Sequence, residues 1–194
     1  LGVISFLLTY LVCIPLGIYK ALHDGTRFDL ASSTIVLIGY SIPGFILGVF
    51  LMVLFCGGSF WDLFPIRGLV SDNFDTLSLG GKILDYLHHL VLPVICLTIG
   101  SFAVMTVLTK NTVLDNIKRQ YVLTARAKGV DERWVIWKHV FRNSMIPLVT
   151  GFAGNFLTMF FSGSLLIESL FSLDGIGLLS FESVMSRDYP VVMA

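Results

Sequence analysis

Hydrophobic and polar positions along this chain fall into long blocks instead of alternating at strand or amphipathic-helix spacing. Four stretches carry no charged residue: Leu1 to Tyr19, Leu30 to Cys56, Leu90 to Thr109 and Ser144 to Ile167. A helix rising about 1.5 Å per residue needs about 20 residues to cross a hydrocarbon core of about 30 Å. Each run reaches or nearly reaches that length. Buried helices of a large soluble core are the alternative, but surface helices of that kind keep a polar face, and these runs have none. The pattern predicts an all-α fold, a polytopic transmembrane helical bundle with four spans.

Composition strengthens this reading. Hydrophobic residues make up 55% of the chain, charged residues 13%, and the mean hydropathy is +0.84. Soluble domains carry about 25% charged residues, so an aqueous globule is a poor fit and a lipid bilayer is the expected surrounding. The formal net charge is zero, and nucleic acid is not an expected partner. Cys13, Cys56 and Cys96 are an odd number without C-x-x-C spacing, which reads as small hydrophobes and not as a disulfide or zinc framework. The chain opens at Leu1 without a start methionine, and Pro190 to Ala194 looks like the opening of another apolar run. Elements are therefore expected to be missing at both ends.

Charge placement orients the spans. Lys20 to Asp29 and Lys110 to Asn143 together hold ten of the thirteen Lys and Arg residues, while the segments on the other side hold Arg67, Lys82 and Arg187. The positive-inside rule then assigns the first and third loops to the cytoplasm. Within the spans, Pro43-Gly44 interrupts the second run after Gly39-Tyr40-Ser41-Ile42, and Pro93 and Pro147 open the third and fourth. A proline inside a span frees a carbonyl that lipid cannot satisfy, so that backbone should face protein or water. Ser41, Pro43 and Gly44 are thus either an ordinary kink packed on a neighbour or part of a translocation pathway. Gly151, Gly154, Ser162, Gly163 and Ser164 would allow close helix contact.

The long loop, residues 110–143, reads as two short helices. Asp115 to Lys128 has helix-forming residues and Gly129 ends them as a C-terminal glycine would. Asp131 then caps a second helix, Glu132 to Asn143, on which Trp134, Val135, Trp137, Val140 and Phe141 recur at helical spacing. That helix is expected in the headgroup layer, rings inward and cations toward phosphates. The first helix, with small Thr124, Ala125 and Ala127, has little apolar area for lipid, and its small side chains would admit another protein's backbone. A solvated basic loop that merely enforces topology is the plainer alternative.

The order alanine, three residues, glycine, then a proline opening the next span resembles the EAA loop of ABC-importer permease subunits (a type I importer fold). The resemblance puts Ala125 and Gly129 at the second alanine and the glycine, Thr124 at the first alanine and Leu123 at the usual glutamate. The form Thr124-Ala125-Arg126-Ala127-Lys128-Gly129 is similar to the dipeptide and oligopeptide branch. Ile14-Pro15-Leu16-Gly17-Ile18, Trp137 to Asn143 and Gly163 to Glu168 carry the likeness beyond the loop. Phe64 to Val70 and Ser186 to Pro190 look in particular like its Yej-type members, associated with oligopeptide and microcin C uptake. The resemblance implies one permease domain over residues 1–194, truncated at both ends and carrying four of six spans. It implies a coupling helix around 121–129 that docks on separate ATPase subunits, and makes Leu123, Thr124, Ala125 and Gly129 the ATPase-coupling residues. A second homologous permease, an extracytoplasmic peptide-binding protein and a peptide substrate complete the implied system, in a bacterial inner membrane.

No catalytic, cofactor or metal site is expected in the chain itself. Gly80-Gly81-Lys82 lacks the spacing of a phosphate-binding loop, so ATP hydrolysis is assigned to a partner. His88 and His89 are adjacent and should diverge on a helix. His23 and His139 read as polar surface, and Glu168 and Asp174 as solvated charges at the membrane edge, with contact to a peptide amino terminus or a binding protein as the alternative. A secondary, ion-coupled transporter would need ionisable groups inside the spans, and an intramembrane enzyme would need a nucleophile and base there. Ser41 and Asn155 are available, but the four runs hold no His, Asp or Glu.

Overall fold

The computed structural model describes residues 1–57, 60–161 and 164–193, apart from the side chains of 158–161. Ser162 and Gly163, two of the small residues expected at helix contacts, lie outside the described residues. Among the described residues the chain is helical, with no strand beyond the isolated bridge between Cys56 and Asp62.

Helix α1 (Gly2–Leu22) carries the first run and is long and apolar enough to cross a membrane. The second run is divided between α2 (Arg27–Ser41) and α3 (Gly44–Phe55), which satisfy the same criterion only as a pair. The break follows from Pro43, whose ring disfavours helical backbone at Ile42 and which lacks the N–H a continuing helix would use. Pro43 itself is extended, at φ −56° and ψ 134°, and stands as the N-cap of α3.

The third run lies within α4 (Leu79–Ile117), a single helix of 39 residues that contains Pro93. At about 1.5 Å per residue it reaches about 58 Å, well beyond a hydrocarbon core of about 30 Å. The fourth run differs from expectation. Helix α7 (Arg142–Phe161) ends at Phe161 and not at Ile167, and Leu165–Phe171 forms a separate helix, α8. Helices α9 (Ile176–Ser186) and α10 (Tyr189–Val192) close the described chain.

The chain divides into two compact units, and each has its own core. One comprises Leu1–Phe6, Ser41–Gly100 and Met159–Ala194; the other comprises Leu7–Tyr40 and Ser101–Thr158. In the first, Cys56, Leu92, Cys96, Ile167, Phe171 and Leu173 form the buried centre. Two glycines of α3 set the approach there. A Cβ on Gly44 would meet the Cys96 carbonyl oxygen at 2.5 Å, and one on Gly48 would meet Leu170 Cδ2 at 2.8 Å.

The second unit has a core of Cys13, Met105 and Leu148, and a larger one in which the ends of α1 and α4 meet the loop after α4. There, too, a glycine allows close contact. A Cβ on Gly17 would lie 2.5 Å from Thr109 Cβ and 2.9 Å from the Thr106 carbonyl oxygen. Small residues at helix crossings let backbones approach where lipid offers no hydrophobic driving force between helices.

Candidate functional site

The loop expected as one helix from Asp115 to Lys128 is built in two pieces. Helix α4 runs on to Ile117, the chain turns at Lys118 and Arg119, and α5 (Gln120–Ala127) follows. Arg119 is extended, at φ −74° and ψ 148°. Asn116 secures the turn: its Nδ2 donates to the Thr112 carbonyl at 2.8 Å, and its Oδ1 accepts from the Tyr121 hydroxyl at 2.6 Å. An Asn side chain that bonds locally offers the backbone an alternative to continued helix.

The turn aims one face of α5 inward. Val122 is 0% exposed and Ala125 6%, packed in one cluster with Ile18, Ala21, Val113, Val135 and Val140. The opposite face carries Leu123 (53% exposed), Thr124, Arg126 and Ala127. The four residues expected at a coupling site therefore divide. Leu123 and Thr124 are presented outward, Ala125 is part of the seat, and Gly129 forms the stop.

That stop is a Schellman motif. Val130 N–H donates to the Ala125 carbonyl at 3.2 Å and Gly129 N–H to the Arg126 carbonyl at 2.9 Å, while Gly129 holds φ +75°. This is the paired bonding that closes helices on a left-handed residue. A Cβ on Gly129 would touch nothing within 4 Å, so the requirement for glycine is conformational and not steric.

Asp131 caps the next segment as expected, its carboxylate accepting from Arg133 N–H at 2.9 Å. The second helix departs from expectation, however. It is an α-turn, α6 (Glu132–Trp134), then a π-helical stretch, Val135–Phe141, which continues directly into α7. The π turn bonds residues five apart, and Val135 and Val140, five apart, are both essentially buried against α5. Val135 and Val140 therefore fill protein core. Trp134 and Trp137 remain outside, 63% and 59% exposed, with Lys138 Nζ 6.0 Å from the Trp134 ring centroid.

One ion pair joins α5 to α6. Arg126 Nε donates to Glu132 Oε2 at 3.0 Å and Nη2 to Oε1 at 2.5 Å. The hydrogen bonds from Arg126 hold the Glu132 carboxyl below its ordinary pKa, and Glu132 raises that of Arg126 in turn. Both side chains are well exposed, so the pair is solvent-screened and contributes at most about 1 kcal/mol.

A denser charge cluster sits at the ends of α1, α2 and α4 in the same unit. Lys20, 1% exposed, donates to the Asp29 carbonyl at 2.9 Å, Ser32 Oγ at 2.5 Å and Ser33 Oγ at 2.8 Å, with Asp29 Oδ1 at 3.1 Å. Lys110 reaches Asp29 Oδ2 at 2.7 Å and Asp24 Oδ1 at 2.8 Å. Gly25 N–H also donates to Asp29 Oδ2, at 3.2 Å. Charge placement along the sequence puts Lys20 and Lys110 among the loop cations and does not reveal this cluster. The available signal was the pair Asp24 and Asp29 in the short loop, beside a lysine that ends an uncharged run.

In the other unit, Gly44 packs against Cys96 while Ser41 and Pro43 are exposed. Glu168 overturns the expectation of a solvated edge charge. It is 6% exposed and accepts from Gly177 N–H at 2.7 Å, Leu178 N–H at 3.1 Å and Ser164 N–H at 3.3 Å, capping the start of α9. Negative charge at a helix N-terminus is favourable. Gly175 and Gly177 leave room for it, since a Cβ on Gly177 would lie 2.8 Å from Glu168 Oε2. The histidine pair diverges: His88 Nε2 lies 2.8 Å from the Leu63 carbonyl oxygen and His89 Nδ1 2.8 Å from that of Asp85. Among the described residues no group of His, Cys, Asp and Glu could hold a metal ion.

Comparison with known proteins gives this geometry a context. The chain is 57% identical over 192 residues to the inner membrane ABC transporter permease protein YejB of Escherichia coli O157:H7, covering 99% of this chain and 53% of that relative. It is 56% identical to the peptidoglycan transport system permease protein YejB of Agrobacterium fabrum, again over 99% of this chain and 53% of the relative. The oligopeptide transport system permease protein AppB of Bacillus subtilis is 34% identical, over 100% of this chain and 59% of its own length. The chain thus spans about half the length of the curated relatives it matches. The family model for binding-protein-dependent transport system inner membrane components matches residues 13–194, and the chain belongs to that family of multi-pass inner-membrane permeases.

Proposed function

We propose that this chain is the core of a pore-forming permease subunit of an ATP-driven peptide importer, and that α5 is the element through which a separate ATPase subunit drives it. The observation that carries the reading is the two-faced build of α5. Its buried face, Val122 and Ala125, is packed on the ends of α1 and α4, and its outer face, Leu123 and Thr124, is exposed. A force applied to that outer face reaches two membrane helices through close-packed side chains, which transmit displacement because protein interiors compress little. Nucleotide binding and hydrolysis in the partner supply the free energy. A second, homologous permease shares the substrate path, and an external binding protein delivers the peptide. Ser41 and Pro43, exposed at the break between α2 and α3, are proposed to border that path.

The names of the relatives support oligopeptides or peptidoglycan fragments as cargo, and the Yej-type resemblance adds microcin C. Residues 20–29 and 110–143 face the cytoplasm in this reading, and cysteines introduced in the segment 60–78 should label from outside the cell.

The test uses the full-length subunit with its partners. Leu123→Asp should abolish co-purification of the ATPase while membrane insertion persists. Gly129→Val, which forces a β-branched side chain to φ +75°, should destabilise the stop by about 1–2 kcal/mol and weaken docking. Wild-type ATPase recovery with both variants would refute the coupling role. Uptake assays with an oligopeptide, a peptidoglycan fragment and microcin C would separate the three cargoes.

A further inference from the structure

The charge cluster of Lys20, Asp24, Asp29 and Lys110 has no part in the contacts expected of an importer subunit, yet it lies immediately behind the seat of α5. Asp29 touches both lysines, one with each carboxylate oxygen. Three neighbours accept from the Lys20 ammonium, the Asp29 carbonyl, Ser32 and Ser33, and an ammonium has three N–H donors. It is therefore saturated. The residue after Lys20, Ala21, and the residue one turn past Lys110, Val113, form the floor on which Val122 and Ala125 rest. Just before the lysines, α1 and α4 approach so closely that a Cβ on Gly17 would lie 2.5 Å from Thr109 Cβ and 2.9 Å from the Thr106 carbonyl oxygen. Three successive layers thus join α1 to α4: a glycine contact, a carboxylate bridge and an apolar floor.

We infer that Asp29 and its two lysines are positioning residues that lock the ends of α1, α2 and α4 into one rigid body, so that thrust received by α5 moves these helices together. The inference rests on the coupling role assigned to α5. A floor of Ala21 and Val113 alone could slide, because apolar contacts are non-directional. The bridge adds direction: Lys110 donates to Asp29 Oδ2 at 2.7 Å, and Lys20, held in place by its three acceptors, meets Asp29 Oδ1 as an ion pair. Burial makes it persistent. Lys20 and the Asp29 carboxylate are shielded from solvent, and buried pairs are screened much less by salt than exposed ones.

Lys110→Met tests this in the full-length subunit, assembled with its permease partner, ATPases and binding protein in lipid vesicles. The variant keeps the Lys20–Asp29 pair and removes the link to α4. Co-purified ATPase and the ATP hydrolysis rate should stay within about twofold of wild type while peptide uptake falls at least about tenfold, the range of ordinary site-to-site coupling. Lys110→Arg, which keeps the charge, should restore most of the uptake. Parallel loss of hydrolysis and uptake, or wild-type uptake in Lys110→Met, would overturn the inference.

A second measurement leaves the cluster intact. Spin labels at the exposed positions Leu22 and Asn111 should keep one narrow distance through the nucleotide cycle. A change exceeding the roughly 1–2 Å typical of helix shifts would show α1 and α4 moving separately and defeat the proposal. Failure of the underlying reading looks different: the wild-type assembly would bind no ATPase or import no peptide.

Discussion

Two buried carboxylates, one in each unit, show two ways of holding charge in an apolar protein. Asp29 is neutralised by cations from other elements, Lys20 on α1 and Lys110 on α4. Glu168 is held by backbone N–H groups of its own neighbourhood, at Ser164, Gly177 and Leu178. The first arrangement joins segments far apart in sequence and ties three helix ends together. The second shapes a local hairpin between α8 and α9 and depends on glycines small enough to bring the N–H groups in. An ion bridge therefore suits a place where separate helices are joined, and a backbone cradle suits a place where a turn must keep its form.

The contrast can be tested by the same isosteric change at both sites. Asp29→Asn would leave two ammonium groups facing an amide, and breaking a buried pair this way costs about 3–5 kcal/mol. The thermal midpoint of the purified subunit should fall accordingly. A stability equal to wild type would mean that the bridge is not formed in solution. Glu168→Gln keeps one oxygen acceptor and loses the other, so about 1.5–3 kcal/mol is expected, the value of a hydrogen bond to a charged group. If Glu168→Gln proved the more damaging of the two, the ranking of ion bridge over backbone cradle would be reversed.

The exposed pair Arg126–Glu132 supplies the low end of the scale. Glu132→Gln should cost less than about 1 kcal/mol and lose even that at high salt. Its sign with pH is defined. The folded-state pKa of Glu132 is depressed, so the stabilisation is complete above the ordinary carboxyl value of about 4.3 and disappears as pH falls through the lower folded value. Melting wild type and variant across that range should bring the two curves together in acid. A gap that persists there would point to packing instead of charge.

Much of this was legible beforehand because it depended on local chemistry. Gly129 stops α5 with a positive φ, Asp131 caps α6, and Pro43 breaks the second apolar run. Each follows from the backbone preferences of a single residue type. Three expectations missed for a common reason. The break at Arg119 turns on the side-chain bonds of Asn116, the π stretch buries Val135 and Val140 against α5, and Glu168 is drawn to the N–H groups at the start of α9; hydrophobic periodicity registers none of these contacts. A valine counted as part of a lipid-facing stripe and a valine filling a core look identical in a linear pattern.

The sequence by itself determined that the chain is a set of apolar helices with a cationic loop between them, because spanning length and charge asymmetry are properties of composition along a line. It also identified α5 as the segment of interest and Gly129 as its end. Only the tertiary structure decided which face of α5 is seat and which is free, and that Lys20 and Lys110 are bound to Asp29 instead of standing as loose surface charge. Those outcomes depend on which side chains meet across long stretches of chain, and the energies of burial and ion pairing exist only once the partners have been brought together.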